Sequence, residues 1–294
     1  MLDLVVKPQG IRREKSAFQK RYDMEIEAFK KIIYDFYRSN KRDFVWRKDI
    51  TPYKIFVSEI MLQQTQTLRV EPKFIAWLEK FPNFQTLAKA STQEVLTAWQ
   101  GLGYNRRALA LHEGAKKIVS EFDGQVPSNL EVLQTFKGIG PNTAASICAF
   151  AFNLPVVFIE TNIRTVFLHC FFPETKEKIH DKELLPLIAA TLDHENSRDW
   201  YYALMDYGVH IKKELKANNK MSKHYTRQSK FVGSKRQVRG AIVRILSKGL
   251  SLSHDELHEM VSCQLPENMH DVARVVQSLV AEGFVKEKDG FLKV

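Results

Sequence analysis

Phe136-Lys137-Gly138-Ile139-Gly140-Pro141-Asn142-Thr143, running straight into Ala144-Ala145-Ser146-Ile147-Cys148-Ala149-Phe150-Ala151-Phe152, is the stretch that decides the fold. The first eight residues read as a tight turn between two helices. Gly138 and Gly140 permit positive φ and the close approach of another molecule, and Pro141 suits the first position of a helix. The following nine are apolar on every side, which places their helix in the middle of a domain. The turn's amides, with the positive end of the following helix, suit a phosphate held without reading any base. An ordinary glycine turn is the alternative. The preceding helix is expected to be capped at Ser128.

Outward from this core, apolar residues from about Met24 to Ile211 recur at three and four, as in Ile26, Phe29, Ile32, Ile33 and Phe36, which is the helical period. Short breaks at Lys80 to Phe84, Phe122 to Pro127 and Phe172 to Glu174 join the helices by turns. The sequence therefore predicts a mainly α, compact helical body. From Lys212 to Arg239 there are ten Lys or Arg against one acid, Glu214, so this stretch carries nine of the ten net positive charges. Beyond it, Arg239 to Leu250 has helical spacing, Ser253 and Glu256 form a capping box, and Val272 to Ala281 makes a third helix. Residues Phe284 to Lys293 alternate as a hairpin around Lys288-Asp289-Gly290. Three helices and a hairpin predict a winged-helix-like module. The expected organisation is an N-terminal extension (1–23), a helical body (24–211), a basic linker (212–235) and the C-terminal module (236–294).

The 294 residues are 44% hydrophobic with a net charge of +10, enough to bury a core and biased toward polyanionic partners, nucleic acid first. No run of 18 uncharged apolar residues occurs, and the first sixteen residues lack a signal-peptide stretch. The linker also lacks the aromatic and leucine face of an interfacial helix. The expectation is a soluble, intracellular, monomeric protein with no membrane partner. Cys148, Cys170 and Cys263 are too few and too widely spaced for a disulfide framework or metal cluster.

Two carboxyls stand out. Glu59 interrupts the apolar helix Ile55 to Leu62, where desolvation would let it hold a proton and act as a general acid; a helix-surface glutamate is the alternative. Glu160 follows the apolar run Pro155 to Ile159 and precedes Thr161-Asn162-Ile163-Arg164, where it could equally be a capping carboxylate. One carboxyl to protonate a leaving group and one to stabilise an oxocarbenium-like sugar are what cleaving a glycosidic bond requires.

Trp46-Arg47, Thr51-Pro52-Tyr53-Lys54, Ser58-Glu59-Ile60-Met61-Leu62-Gln63-Gln64-Thr65-Gln66, Gly101-Leu102-Gly103-Tyr104 and Gly138-Ile139-Gly140, in this order and spacing, resemble the helix-hairpin-helix (HhH-GPD) DNA glycosylases, in particular their MutY-like adenine branch. The resemblance covers roughly Met24 to Ile211 and implies a two-lobed helical body there. It implies that Glu59 protonates the departing purine and Asn162 orients the catalytic carboxylate at Glu160. By the same resemblance Gln63 and Tyr104 enter the base stack, offsetting the unpairing cost of a flipped base. Gln64, the hairpin residues Lys137, Gly138, Gly140, Asn142 and Thr143, and Arg164 with the basic linker would complete the contacts to double-stranded DNA carrying a mismatch or lesion.

The sequence departs from that pattern in four ways. Glu160 stands where the family carries Asp; one extra methylene shifts the carboxylate by an amount that can change the rate about a hundredfold, so a pocket rebuilt around Glu is expected. Asn142 occupies the place of the Schiff-base lysine of endonuclease III relatives, and an amide cannot do amine chemistry. Lys137 lies on the other side of the turn. The resemblance thus implies a monofunctional enzyme. Lys212 stands where most relatives begin a four-cysteine iron-sulfur cluster, so no such cofactor is expected. The large domain that inspects an opposing 8-oxoguanine is replaced by the winged-helix-like module, whose candidate recognition helix, Met269 to Ala281, carries a single basic residue, Arg274. That module could contact DNA, pack on the body or bind a protein. The resulting expectation is base excision of a mispaired base, adenine first. Excision of thymine or uracil opposite guanine, and a non-catalytic lesion sensor, remain the alternatives.

Overall fold

The computed structural model describes residues 17–173, 175, 177–214, 220–224 and 230–294. Residues 1–16 of the expected N-terminal extension, 215–219 and 225–229 of the basic linker, and Glu174 lie outside the described residues.

The chain is mainly helical, as its periodicity predicts. α1 (Ala17–Asn40) leads through a single 3-10 turn at Val45–Arg47 into α2 (Pro52–Leu62), whose start is fixed by the Thr51 cap and by Pro52 in the first turn. α3 (Thr67–Lys80), α4 (Phe84–Lys89), α5 (Thr92–Trp99), α6 (Arg106–Glu121) and α7 (Leu130–Gln134) follow. Their boundaries are set by short polar caps: the Asn83 side chain accepts from the Thr86 amide, and Ser91 and Glu94 form a reciprocal capping box. The helix before the hairpin turn is capped one residue later than expected. Asn129, not Ser128, accepts from the Val132 amide, and the Ser128 carbonyl instead accepts from the Cys148 thiol.

α8 (Pro141–Phe152) is the central helix. Ala144, Ile147 and Cys148 face one hydrophobic cluster, built around Phe56, Phe74, Trp77 and Trp99 of α2 to α5. Ala145, Ala149 and Phe150 face a second, around Phe29, Phe167, Trp200 and Tyr201. That second cluster unites α1 with α9 (Thr161–Phe171), α10 (Asp181–Thr191) and α11 (Ser197–Glu214). A helix apolar all round thus serves two cores, one per lobe, and the groove between the lobes opens beside it.

α11 runs past the expected end of the body through Lys212 to Glu214. Residues of the expected linker then return to the body, where the Ile179 amide donates to the Met221 carbonyl at 2.8 Å and the Lys223 amide donates to the Ile179 carbonyl at 2.9 Å. The C-terminal module comprises α12 (Lys235–Leu246), β1 (Leu252–Ser253), α13 (His254–Gln264), α14 (Val272–Ala281), β2 (Lys286–Lys288) and β3 (Phe291–Lys293). The Ser253–Glu256 capping box is in place. The expected hairpin pairs antiparallel, and β1, which the sequence reading did not include, adds a third strand to give the order β1-β3-β2. Val238, Ile242, Ile245 and Leu246 of α12 belong to the same hydrophobic cluster as the first lobe, so the module is seated on that lobe.

Candidate active site

A cavity of about 640 Å³ lies in the groove between the lobes, a size typical of small-molecule sites. Glu59, Gln63, Gln64, Asn142, Thr143, Glu160 and Asn162 line it together. Tyr104, Lys137, Gly138, Gly140 and Arg164 do not.

Glu59 projects from α2, whose other residues from Tyr53 to Met61 are buried except Lys54. Ser146 of α8 donates from Oγ to Glu59 Oε2 at 2.6 Å. Burial dominates this carboxyl and pushes it up to about 7, the neighbouring Glu160 charge adds to the rise, and the Ser146 hydrogen bond and Arg47 work against it. Near neutral pH the group is therefore poised to hold and give a proton.

Glu160 is the N-cap of α9, and its Oε1 accepts from the amides of Asn162 at 2.7 Å and Ile163 at 3.0 Å. Asn162 Nδ2 donates to its other oxygen at 3.3 Å. Burial raises this carboxyl too, opposed by the two amides, by Lys212 and by the Asn162 side chain. Lys212 Nζ donates to Asn162 Oδ1 at 2.8 Å, so a lysine–asparagine–glutamate chain runs along the cavity wall. Gly208 of α11 makes it possible. A Cβ there would stand 2.5 Å from the Asn162 carbonyl oxygen and 2.8 Å from its Cβ, closer than atoms can approach.

The floor of the cavity is rigid. Asp206, almost fully buried, is held by Arg42 Nε at 2.7 Å and by Arg47 Nη1 at 2.8 Å. Arg47 also lies over the Tyr202 ring, 4.3 Å from its centre, and that ring stacks on Phe150 at 4.5 Å. Tyr202 lines the cavity, and its hydroxyl is buried with no hydrogen-bond partner among the described residues.

At the cavity mouth, the Gln63 side chain donates to the Gly138 carbonyl at 3.1 Å and to Thr143 Oγ1 at 3.2 Å, tying the end of α2 to the hairpin. Asn142 Oδ1 accepts from the Ile159 amide at 3.4 Å. Gly138 takes φ +79°, whereas Gly140 has an ordinary φ and open space where a Cβ would be. The protein's own packing thus requires only the first glycine. Lys137 is exposed and 3.3 Å from Glu113. Arg164 is mostly buried and committed to Asp181, with its Nε and Nη2 at 2.7 and 2.6 Å from the two carboxylate oxygens. Its charge serves α9–α10 packing rather than an open surface.

Among the described residues, six non-glycine positions take positive φ. Four are Asp or Asn, which tolerate it; the others are Gln64 and Tyr104, where the conformation is strained. Both loops are anchored by one buried side chain. Arg107 Nη1 donates to the carbonyls of Ile60 and Met61 at 2.9 Å and to that of Gln63, while Nη2 donates to Thr65 Oγ1 at 2.9 Å and to the carbonyls of Leu102 and Gly103 at 3.3 and 3.1 Å.

Sequence reading did not single out Ser146, Tyr202, Gly208 or Arg107 for the site, and met Lys212 as the start of the basic linker and the place of a missing cysteine, not as a partner of the catalytic pair. Ser146 was visible as the sole hydroxyl in the apolar run Ala144 to Phe152. The others depend on which helices meet, which a single sequence does not disclose. The residues present do not fit a cysteine-held cluster: Lys212 is turned onto Asn162, and the three cysteines fall on α8, α9 and α13.

Residues 57–188 match the HhH-GPD superfamily base excision DNA repair protein family. The chain is 37% identical over 181 residues to the adenine DNA glycosylase of Mycolicibacterium smegmatis, covering 61% of each chain. It is 33% identical over 198 residues to that of Rattus norvegicus, covering 64% of this chain and 38% of the other. It therefore spans less than two thirds of the length of these relatives. The solved structure of a thermostable thymine-DNA glycosylase superposes with a TM-score of 0.59 at 24% identity, covering 67% of this chain and 91% of that one, which places the helical body in the same fold.

Proposed function

We propose, from the match of residues 57–188 to the HhH-GPD superfamily of base excision DNA repair proteins, that this chain is a monofunctional DNA glycosylase that flips a mispaired base, adenine first, into the inter-lobe cavity and leaves an abasic site. The observation that carries the reading is the pair of carboxyls lining one cavity in opposite surroundings. Glu59 has one hydroxyl donor and a nearly apolar helix around it; Glu160 has two amides, an amide side chain and, one residue removed, an ammonium. Environments of this kind divide two acids into a proton donor and an anion.

In this reading Glu59 gives its proton to the base as the C1′–N bond breaks. Glu160, whose ionised form the cap donors favour against its burial, would in that form face the positive charge that develops on the sugar, and water adds its oxygen at C1′ and releases a proton. Asn162 fixes the Glu160 carboxylate and is itself fixed by Lys212. Gln63, Gln64 and Tyr104 stand at the mouth, where side chains entering the stack would offset the unpairing cost. The amides of the hairpin, Gly138 to Thr143, would grip a phosphate, and the open space over Gly140 leaves room for one. Asn142 at the hairpin supplies no amine, which supports hydrolysis without strand cutting. Names of relatives at 33–37% identity favour adenine over thymine, since the thymine-specific neighbour shares the fold at 24% identity.

Base release from labelled duplexes with adenine opposite 8-oxoguanine or guanine, and with thymine or uracil opposite guanine, tests the proposal. Strand cutting that needs alkali and disappears in both Glu59→Gln and Glu160→Gln is the expected result. Release of the pyrimidine alone would reassign the base. Tight, salt-sensitive binding of every duplex with no release would make the chain a lesion-binding protein.

A further inference from the structure

The C-terminal module meets the body beside Tyr104, the strained residue whose loop shares the Arg107 anchor with the Gln63–Thr65 loop lining the cavity. Arg236, in the first turn of α12, donates from Nη1 to the Tyr104 hydroxyl at 3.2 Å and from Nη2 to the Lys230 carbonyl at 3.3 Å. Glu282, just after α14, is gripped by Arg106, two residues beyond Tyr104, at 2.8 Å and by Arg239 at 2.6 Å. Thr97 Oγ1 donates to the Ser247 carbonyl at 3.0 Å. These bonds and the shared core fix where the module's surface lies relative to the mouth.

Next to this junction two braced turns present apolar side chains to solvent. Phe231 is 57% exposed, Val232 79% and Met269 96%. The turn at 231–234 is closed by Ser234, whose amide donates to the Phe231 carbonyl at 3.1 Å, and the Gly233 amide donates to Gln237 Oε1 at 2.8 Å. His270 Nε2 lies 3.0 Å from the Gly233 carbonyl, joining the turn that carries Met269 to the turn that carries Phe231. Lys230 and Lys235 flank the patch and are exposed, and Glu267 and Asp271 are the acids on either side of Met269.

We infer that this patch, Lys230 to Arg236 with Met269, is a second duplex-DNA contact that carries the interface from the Tyr104 loop onto the C-terminal module. The inference rests on the glycosylase reading above. Ordered turns that hold three apolar side chains in water, where burying each would be favourable, are the mark of a surface that meets something. Cations on both sides and continuity with the Tyr104 loop select DNA. Lysines meet phosphates while apolar side chains press on a groove or an opened base step. The helix expected to read DNA is less suited: α14 buries Val272, Val275, Val276 and Leu279 and exposes one cation, Arg274. The module thus approaches DNA by its α12 side.

Duplex binding is measured as a function of salt for the full chain and for Lys230→Gln/Lys235→Gln and Phe231→Ala/Met269→Ala, with thermal melting to verify folding, and excision by the parent is recorded alongside. The lysine variant should lose at least tenfold in affinity at moderate salt, its log–log slope becoming shallower by about 0.9 for each phosphate contact removed. The apolar variant should lose affinity at unchanged slope. Folded variants that bind like an excision-competent parent would overturn the inference alone and assign the patch to a protein partner. A parent that neither excises nor binds any duplex would overturn the glycosylase reading and the inference with it.

Discussion

Ser146 Oγ donates to Glu59 Oε2 at 2.6 Å, so the central apolar helix turns a buried hydroxyl onto the carboxyl of the facing helix. That bond stabilises the anion, while burial, the larger effect, favours the neutral acid and sets the group at about 7. A general acid must be protonated to act, so base release should fall as pH rises through about 7. Ser146→Ala removes an influence that lowers the pKa. Its alkaline limb should move to higher pH in single-turnover pH–rate profiles, whereas an unmoved limb would mean that Glu59 is not the group that titrates.

The same burial has a cost in stability. An unfolded glutamate ionises in its ordinary range, but the folded Glu59 does so only at about 7. Stability is thus unaffected below the unfolded pKa and is lost as pH rises through the folded one, by up to roughly 3 kcal/mol at pH 8. Glu59→Gln carries no charge to bury. It should abolish base release yet melt several degrees above the parent at pH 8, with the gap closing toward pH 4. Equal melting at both pH values would show that the carboxyl is solvated.

Lys212 acts on Glu160 through Asn162 and through its charge. Removing the cation leaves burial less opposed, so Glu160 should ionise at higher pH. Lys212→Met should shift the acid limb of the release profile upward and slow release by about tenfold or more, while Lys212→Arg restores part of both. A loss of rate with an unshifted limb would reduce Lys212 to a packing residue.

Gly208 faces the Asn162 carbonyl across the α11–α9 contact, and a methyl group there meets backbone, which cannot swing aside. Gly208→Ala should push the start of α9 away from α11, at a cost of about 1–3 kcal/mol. Because α9 begins with the Glu160 cap, release should fall by more than the stability loss accounts for. Comparison of melting with single-turnover release in DNA excess separates the two effects.

The helical class, the central helix and the two carboxyls were legible because each leaves a local mark: a 3.6-residue period, a run without polar residues, a charge where apolar residues surround it. Other features were set by distant contacts. Arg164 resembled a free cation until Asp181, seventeen residues on, took both ends of its guanidinium. The expected basic linker lost its first residues to α11, since Ile211 still packs in the second core and Lys212 has a partner on α9. β1 escaped notice because two residues carry no alternation, and its strand character comes from pairing Leu252 with Leu292.

Arg107 is the clearest case of a residue whose importance only the folded chain exposes, since in sequence it is one more arginine early in α6. Its guanidinium is the common anchor of the loops bearing Gln64 and Tyr104, both of which hold positive φ. Strained loops keep their shape only when their surroundings over-determine it. A lysine has neither the planar fork nor enough donors to reach Ile60, Met61, Gln63, Thr65, Leu102 and Gly103 together. Arg107→Lys should therefore leave buried carbonyls unpaired and destabilise the fold on the order of 3 kcal/mol. Both mouth loops should relax, visible as faster amide exchange at residues 63–65 and 101–104 alone. Duplex affinity and base release should then fall together, because wedges that must order on binding lose the advantage of being held in place. Exchange unchanged at both loops would show that Arg107 packs the lobe without shaping the mouth.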